Sequence, residues 1–92
     1  MRVVVVTGSG GLVGSEAVRF YAPRTDVVVG IDNDLRARFF GPEASTGWNV
    51  EALKTRFANY RHETVDIRDA DAIGRIFAEY GSDIELVLHT AA

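Results

Sequence analysis

The sequence predicts an α/β fold in which a parallel sheet of strand order 3-2-1-4 carries helices on both faces, an incomplete doubly wound domain over residues 1–92. Three observations predict it. A continuously apolar, β-branched run opens the chain and breaks at a cluster of glycines, the pattern of a strand buried on both faces of a parallel sheet. Strand-like and helical segments then alternate to the last residue, which makes the strands parallel. Right-handed crossovers between such strands give the order 3-2-1-4.

Val3 to Val6 form the first strand. After the glycines, Leu12, Val13, Ala17, Val18 and Tyr21 recur at helical spacing, and Pro23 closes the segment because it cannot continue a helix. Val27, Val28, Val29 and Ile31 make the second strand, which ends at Asp32, Asn33 and Asp34. Residues 35–49 hold Gly41, Pro42 and Gly47 without a clean period, and read as a long loop, a feature that is usually functional in a compact domain. Val50, Leu53 and Phe57 mark one face of a short helix. Tyr60 to Asp66 is a third, more polar strand. Asp69 is suited to cap a helix whose Ile73, Ile76, Phe77 and Tyr80 fall at i, i+3, i+4 and i+7. Gly74 within it costs about 1 kcal/mol relative to alanine. Gly81 stops that helix, and Ile84 to Leu88 form the fourth strand.

Composition narrows the function classes. A net charge of -3, without a lysine or arginine cluster, offers no electrostatic footprint for nucleic acid. The chain has no cysteine, so it has no disulfide, thiolate metal site or cysteine nucleophile. No metal site is expected. The opening apolar run is far too short for a signal-peptide core or a membrane span, so a cytoplasmic location without membrane partners is expected.

The chemistry concentrates in Gly8, Gly11 and Gly14, spaced three apart between a strand and a helix. Such glycines allow a tight turn, close backbone approach to a phosphate, and close helix-to-strand packing. The helix that follows aims unpaired N–H groups and its positive dipole end at the same place. Asp32 stands eighteen positions beyond Gly14, near the offset of the acid that binds the adenosine ribose in a dinucleotide fold. Together these features indicate a Rossmann-type dinucleotide site. No Lys-Ser or Lys-Thr pair directly follows these glycines, which excludes a P-loop. Asp32 can accept hydrogen bonds from both ribose hydroxyls and would repel a 2′-phosphate, which favours NAD. Arg36 and Arg38 keep NADP open as an alternative.

The spacing Thr7-Gly8-x-x-Gly11-x-x-Gly14 resembles the extended short-chain dehydrogenase/reductase family, the NAD-dependent epimerases and dehydratases. Asp66, Ile67, Arg68 and Asp69 resemble that family's adenine-contacting segment after the third strand. His89, Thr90, Ala91 and Ala92 resemble the segment after its fourth. The resemblance spans all 92 residues and implies a cofactor site of Gly8, Gly11, Leu12, Val13, Gly14, Asp32, Asn33, Asp66, Ile67, Ala91 and Ala92. More narrowly, Gly30 to Asp34, with Arg36 and Phe39 to Ser45, resembles the nucleotide-sugar 2-epimerases acting on CDP-paratose or CDP-tyvelose. That implies a CDP-sugar substrate, oxidised and re-reduced at C2 by bound NAD with no net redox change. Related members are 4-epimerases, 4,6-dehydratases and reductases of nucleotide sugars.

No tyrosine is followed four places on by lysine, Lys54 being the only lysine, so the family's Tyr-x-x-x-Lys pair is absent and no residue here is expected to be catalytic. His89 reads as structural and His62 as solvated. Phe39, Phe40 and Trp48 suit either a sugar-nucleotide pocket or anchorage of the loop, and Asp66 suits either adenine or the next turn. The third strand carries Arg61, His62 and Glu63, as befits a sheet edge, whereas the fourth, with Leu86, Val87 and Leu88, is an unprotected one. The chain is therefore expected either to be the amino-terminal portion of a longer enzyme or to self-associate through strand four. A non-catalytic dinucleotide-binding fragment is the alternative function.

Overall fold

A computed structural model describes residues 1–33 and 47–90. Its elements are β1 (Val3–Thr7), α1 (Leu12–Tyr21), a 3-10 turn (Ala22–Arg24), β2 (Val27–Ile31), α2 (Gly47–Arg56), β3 (Tyr60–Glu63), α3 (Ala70–Tyr80), a second 3-10 turn (Gly81–Asp83) and β4 (Ile84–His89). The strands form one parallel sheet in the order β3-β2-β1-β4, as the alternation of elements predicts.

β1 is buried along its whole length because it is paired on both sides and covered on both faces. Successive side chains of a strand point to opposite faces. Val4, Val6 and Val28 accordingly join Val18 and Ala22 from the α1 side and Leu53 of α2 in one core layer. Val3, Val5, Val29 and Ile31 meet Ile76 of α3 in the other. Helices thus occupy both faces.

Asp69 caps α3 as expected, its Oδ1 accepting the Ala72 N–H at 3.1 Å. Gly81 ends that helix with φ 53°, a value open to glycine. Pro23 lies in the 3-10 turn that closes α1.

Two boundaries differ from expectation. β3 ends at Glu63 rather than Asp66, because its ladder with β2 stops where β2 does, at Ile31 opposite Glu63. Of the expected loop over 35–49, residues 35–46 lie outside the described residues, whereas 47–49 already belong to α2. The apolar period starts at Val50, but the residue before it is buried and polar: Asn49 is 4% exposed. A buried asparagine leaves no mark in a hydrophobic pattern.

β4 is the sheet edge among the described residues. Ile84, Leu86 and Leu88 are half-buried, and Glu85, Val87 and His89 are exposed. The opposite edge, β3, presents Arg61 to solvent.

Candidate functional site

The glycine turn sits at the carboxyl end of β1, between β2 and β4. Gly8 adopts φ 72°, which reverses the chain, and its N–H bonds the Ile31 carbonyl at 2.7 Å. The Gly11 N–H closes the turn onto the Gly8 carbonyl at 3.0 Å. Gly14 brings α1 against that turn so closely that a Cβ there would lie 2.0 Å from the Gly8 oxygen and 2.8 Å from Thr90 Oγ1. Among the described residues, a Cβ on Gly11 would meet only the Gly8 oxygen, at 3.4 Å. Gly14 therefore serves the packing of the protein, whereas Gly11 leaves the outer side of the turn clear.

Among the described residues, α1 begins at this point without a side-chain cap. The first helical bond runs from the Ser15 N–H to the Gly11 carbonyl at 2.9 Å, so helix geometry supplies no acceptor for the N–H groups of Leu12, Val13 and Gly14. Leu12 and Val13 are apolar yet 86% and 71% exposed. Uncapped helix amides beside a turn that Gly11 leaves open fit a pyrophosphate.

Asp32 follows the carboxyl end of β2, half-buried beside Asn33. Its Oδ2 accepts the Gly10 N–H at 2.8 Å, which ties the expected ribose acid directly to the glycine turn. On the β4 side, Thr90 donates its hydroxyl to the Thr7 carbonyl at 2.6 Å, and His89 Nδ1 lies 2.7 Å from Thr7 Oγ1. His89 thus has a structural partner. Ala91 and Ala92 lie outside the described residues.

Asp66 lies beyond β3, at the same carboxyl edge of the sheet. Its carboxylate accepts the Arg68 N–H at 2.9 Å and pairs with the Arg68 guanidinium, Nη2 at 2.7 Å, so the expected adenine contact also shapes the following turn. Ile67 packs on the α3-side core. The structure brings Gly8, Gly11, Leu12, Val13, Gly14 and Asp32 together, and places Asp66 and Ile67 across β2 from them.

Behind the turn lies a polar layer that the sequence did not reveal. Tyr60 runs its hydroxyl across β2 to within 2.9 Å of both Ser9 Oγ and His62 Nδ1. It can do so because position 30 is glycine, where a Cβ would stand 2.2 Å from that hydroxyl. Burial, with the charge of Asp32 adding to it, pushes the Tyr60 pKa up to about 12, so the phenol stays protonated. His62, expected to be solvated, is instead half-buried, and burial followed by the charge of Lys54 lowers its pKa. Asn49 donates from Nδ2 to the Gly10 carbonyl at 3.0 Å and accepts from Arg19 Nη2 at 2.9 Å. The signal for Tyr60 was Gly30, a small residue inside an otherwise bulky strand; Asn49 had none.

Among the described residues no group of three or more His, Asp or Glu side chains is placed to hold a metal, and no helix is long and apolar enough to cross a membrane.

Sheet order, glycine turn and uncapped helix define a Rossmann-type dinucleotide-binding domain. The chain belongs to the NAD dependent epimerase/dehydratase family, whose pattern matches residues 4–92. It is 36% identical over 95 residues to dTDP-glucose 4,6-dehydratase of Neisseria meningitidis serogroup B, an alignment covering all of this chain and 23% of that protein. Among solved structures it resembles dTDP-glucose 4,6-dehydratase of Bacillus anthracis in complex with NAD (TM-score 0.74, 18% identity, 100% of this chain and 27% of that one). It also resembles UDP-glucose 4-epimerase of Thermotoga maritima with UDP-glucose (TM-score 0.70, 24% identity, 98% and 24%). A third likeness is to yeast methylglyoxal/isovaleraldehyde reductase complexed with NADPH (TM-score 0.69, 27% identity, 98% and 24%). The chain thus spans about a quarter of the length of these proteins.

Proposed function

We propose that residues 1–92 are the amino-terminal, NAD-binding portion of a longer nucleotide-sugar enzyme of the cytoplasm. The observation that carries this reading is the uncapped amino terminus of α1 beside the open side of Gly11, with Asp32 anchored to the same turn. In it, the N–H groups of Leu12, Val13 and Gly14 donate to the pyrophosphate, Gly8 shapes the turn, and Gly11 leaves room for the phosphate. Asp32, beside Asn33, accepts from the adenosine ribose. Asp66 and the Ile67 backbone flank the adenine, and Ala91 and Ala92 are small enough to let backbone approach the ribose. NAD, when bound, supplies reversible two-electron oxidation of a sugar carbon. The general base must come from outside these 92 residues, because no Tyr-x-x-x-Lys occurs in them. Calorimetric titration of the chain tests the reading: heat is expected with NAD and weaker heat with NADP, and no heat with either overturns it.

Within this class, the resemblance of Gly30 to Asp34 and of Phe39 to Ser45 supports a CDP-sugar 2-epimerase, an isomerase. The 36% identity to a dTDP-glucose 4,6-dehydratase supports the second reading. Incubating the enzyme that carries this chain with each sugar nucleotide separates them, since epimerisation inverts C2 and conserves mass, whereas dehydration removes water. The exposed edge of β4, with Val87 44% exposed, supports self-association of the isolated chain. Light scattering that shows a monomer at high concentration overturns that part.

A further inference from the structure

We infer that Asn49 is a positioning residue for the dinucleotide site, setting through Gly10 the direction in which the α1 amides point. The inference rests on the dinucleotide reading above. Gly10 is buried, and its two peptide groups are held from different elements: Asp32 Oδ2 accepts its N–H at 2.8 Å, and Asn49 Nδ2 donates to its carbonyl at 3.0 Å. The peptide that carries this carbonyl also carries the Gly11 N–H, which is turned inward onto the Gly8 carbonyl at 3.0 Å. Both ends of that peptide plane are therefore pinned, and the next amides along the chain, those of Leu12, Val13 and Gly14, inherit its orientation. Glycines on both sides of the plane make rotation sterically easy, so the orientation has to be held by bonds rather than by side-chain bulk.

The Asn49 amide cannot satisfy these partners the other way round. Arg19 offers only donors, and its Nη2 lies 2.9 Å from Asn49 Oδ1. Flipping the amide would set NH2 against guanidinium and oxygen against the Gly10 carbonyl. Arg19 is itself held by Ser15 Oγ at 3.3 Å and Glu16 at 2.9 Å. A chain of bonds thus runs from α1 through the first turn of α2 to the glycine turn, and Asn49 is its one link to Gly10. A purely structural role would require only that the buried amide be satisfied; here its donor is spent on the one carbonyl whose rotation would re-aim the cofactor amides.

Asn49→Asp tests this, because it keeps the shape and the Arg19 partner but replaces the donor with an oxygen facing the Gly10 carbonyl. NAD affinity, measured by calorimetry at a temperature where each variant is fully folded, is expected to fall about 10- to 100-fold, with displaced Gly10 and Gly11 amide resonances before NAD is added. Leu53→Ala, which thins the core on the same helix without touching the turn, is expected to lower the melting temperature and leave NAD affinity within about threefold. If Asn49→Asp does not fold, Arg19→Met replaces it. That variant releases the amide orientation while leaving the donor, and about a threefold to tenfold loss of affinity is expected. Absence of NAD binding in the unsubstituted chain overturns the dinucleotide reading and this inference with it. Binding that is unchanged in Asn49→Asp, or in Arg19→Met where that is the variant that folds, overturns this inference alone.

Discussion

Alanine at Gly14 and alanine at Gly11 are expected to fail in opposite ways, although the two glycines belong to one motif. At Gly14 the added Cβ would sit 2.0 Å from the Gly8 oxygen, where ordinary contact begins at 3.4 Å. Well over an ångström must therefore open between α1 and the turn, and the obstacle is backbone, which cannot swing aside. Overpacking of this kind costs about 1–3 kcal/mol, partly offset by the better helix propensity of alanine. For a chain of this size each kcal/mol shifts the melting temperature by about 4–8 °C, so Gly14→Ala should melt about 5–15 °C lower. At Gly11 the Cβ meets one atom at 3.4 Å, and exchanging glycine for alanine at a helix N-cap costs less than about 1 kcal/mol. Gly11→Ala should melt close to the parent but lose NAD binding about tenfold or more, because the methyl stands where the backbone must approach phosphate. Thermal melts paired with NAD calorimetry read both effects. Should Gly14→Ala melt with the parent, or Gly11→Ala melt below Gly14→Ala, this division of labour is wrong.

Other sites give independent expectations. Gly74 lies in the middle of α3, where a Cβ would have no neighbour within 4 Å from other elements among the described residues, so Gly74→Ala should stabilise the chain by about 0.5–1 kcal/mol, seen as a higher urea midpoint with unchanged slope. Tyr60→Phe removes the partner of buried Ser9 Oγ and should cost about 1–2 kcal/mol in the same assay; an unchanged midpoint counts against the polar layer as a support. His62 has a pKa below its ordinary 6.5 in the folded chain, so the unfolded chain binds the proton first as pH falls. Stability should be full above about 6.5 and decline below it, and His62→Gln should flatten that decline in melts recorded between pH 5 and 8. Asp32→Ala should weaken NAD by about 10-fold or more and narrow its advantage over NADP, as competition calorimetry would report; an undiminished preference for NAD would place the discriminating group elsewhere.

What was legible in the sequence follows from which physical signals are local. β1 could be read because a strand buried on both faces needs an uninterrupted β-branched run, and Val3 to Val6 is one. Asp69 could be read because a cap acts within three residues of itself. Gly14 could be read because its crowding arises from Gly8 in the same motif. The start of α2 could not, since a residue buried there is an asparagine whose partners, Gly10 and Arg19, lie 39 and 30 positions away. The fate of His62 was hidden for a similar reason: its neighbour Tyr60 is two residues off, but the Tyr60 hydroxyl that it meets is placed by reaching over Gly30 to Ser9.

This difference bears on how the site is built. The groups legible in the sequence are those assigned to the cofactor side in the proposed reading: Gly8, Gly11, Gly14 and Asp32. The groups hidden in it stand behind them, and they are satisfied polar residues, Ser9, Asn49 and Tyr60, placed where the fold could have used apolar ones. An apolar backing would exclude water equally well, but it has no means of holding a peptide plane against rotation. Only directional bonds do that, and a turn rich in glycine has no bulk of its own to resist. The Gly10 carbonyl and N–H, bonded from α2 and from Asp32 respectively, are where the inferred positioning role of Asn49 applies that resistance. A glycine motif can present bare amides to an anion only because side chains elsewhere in the chain keep those amides aimed.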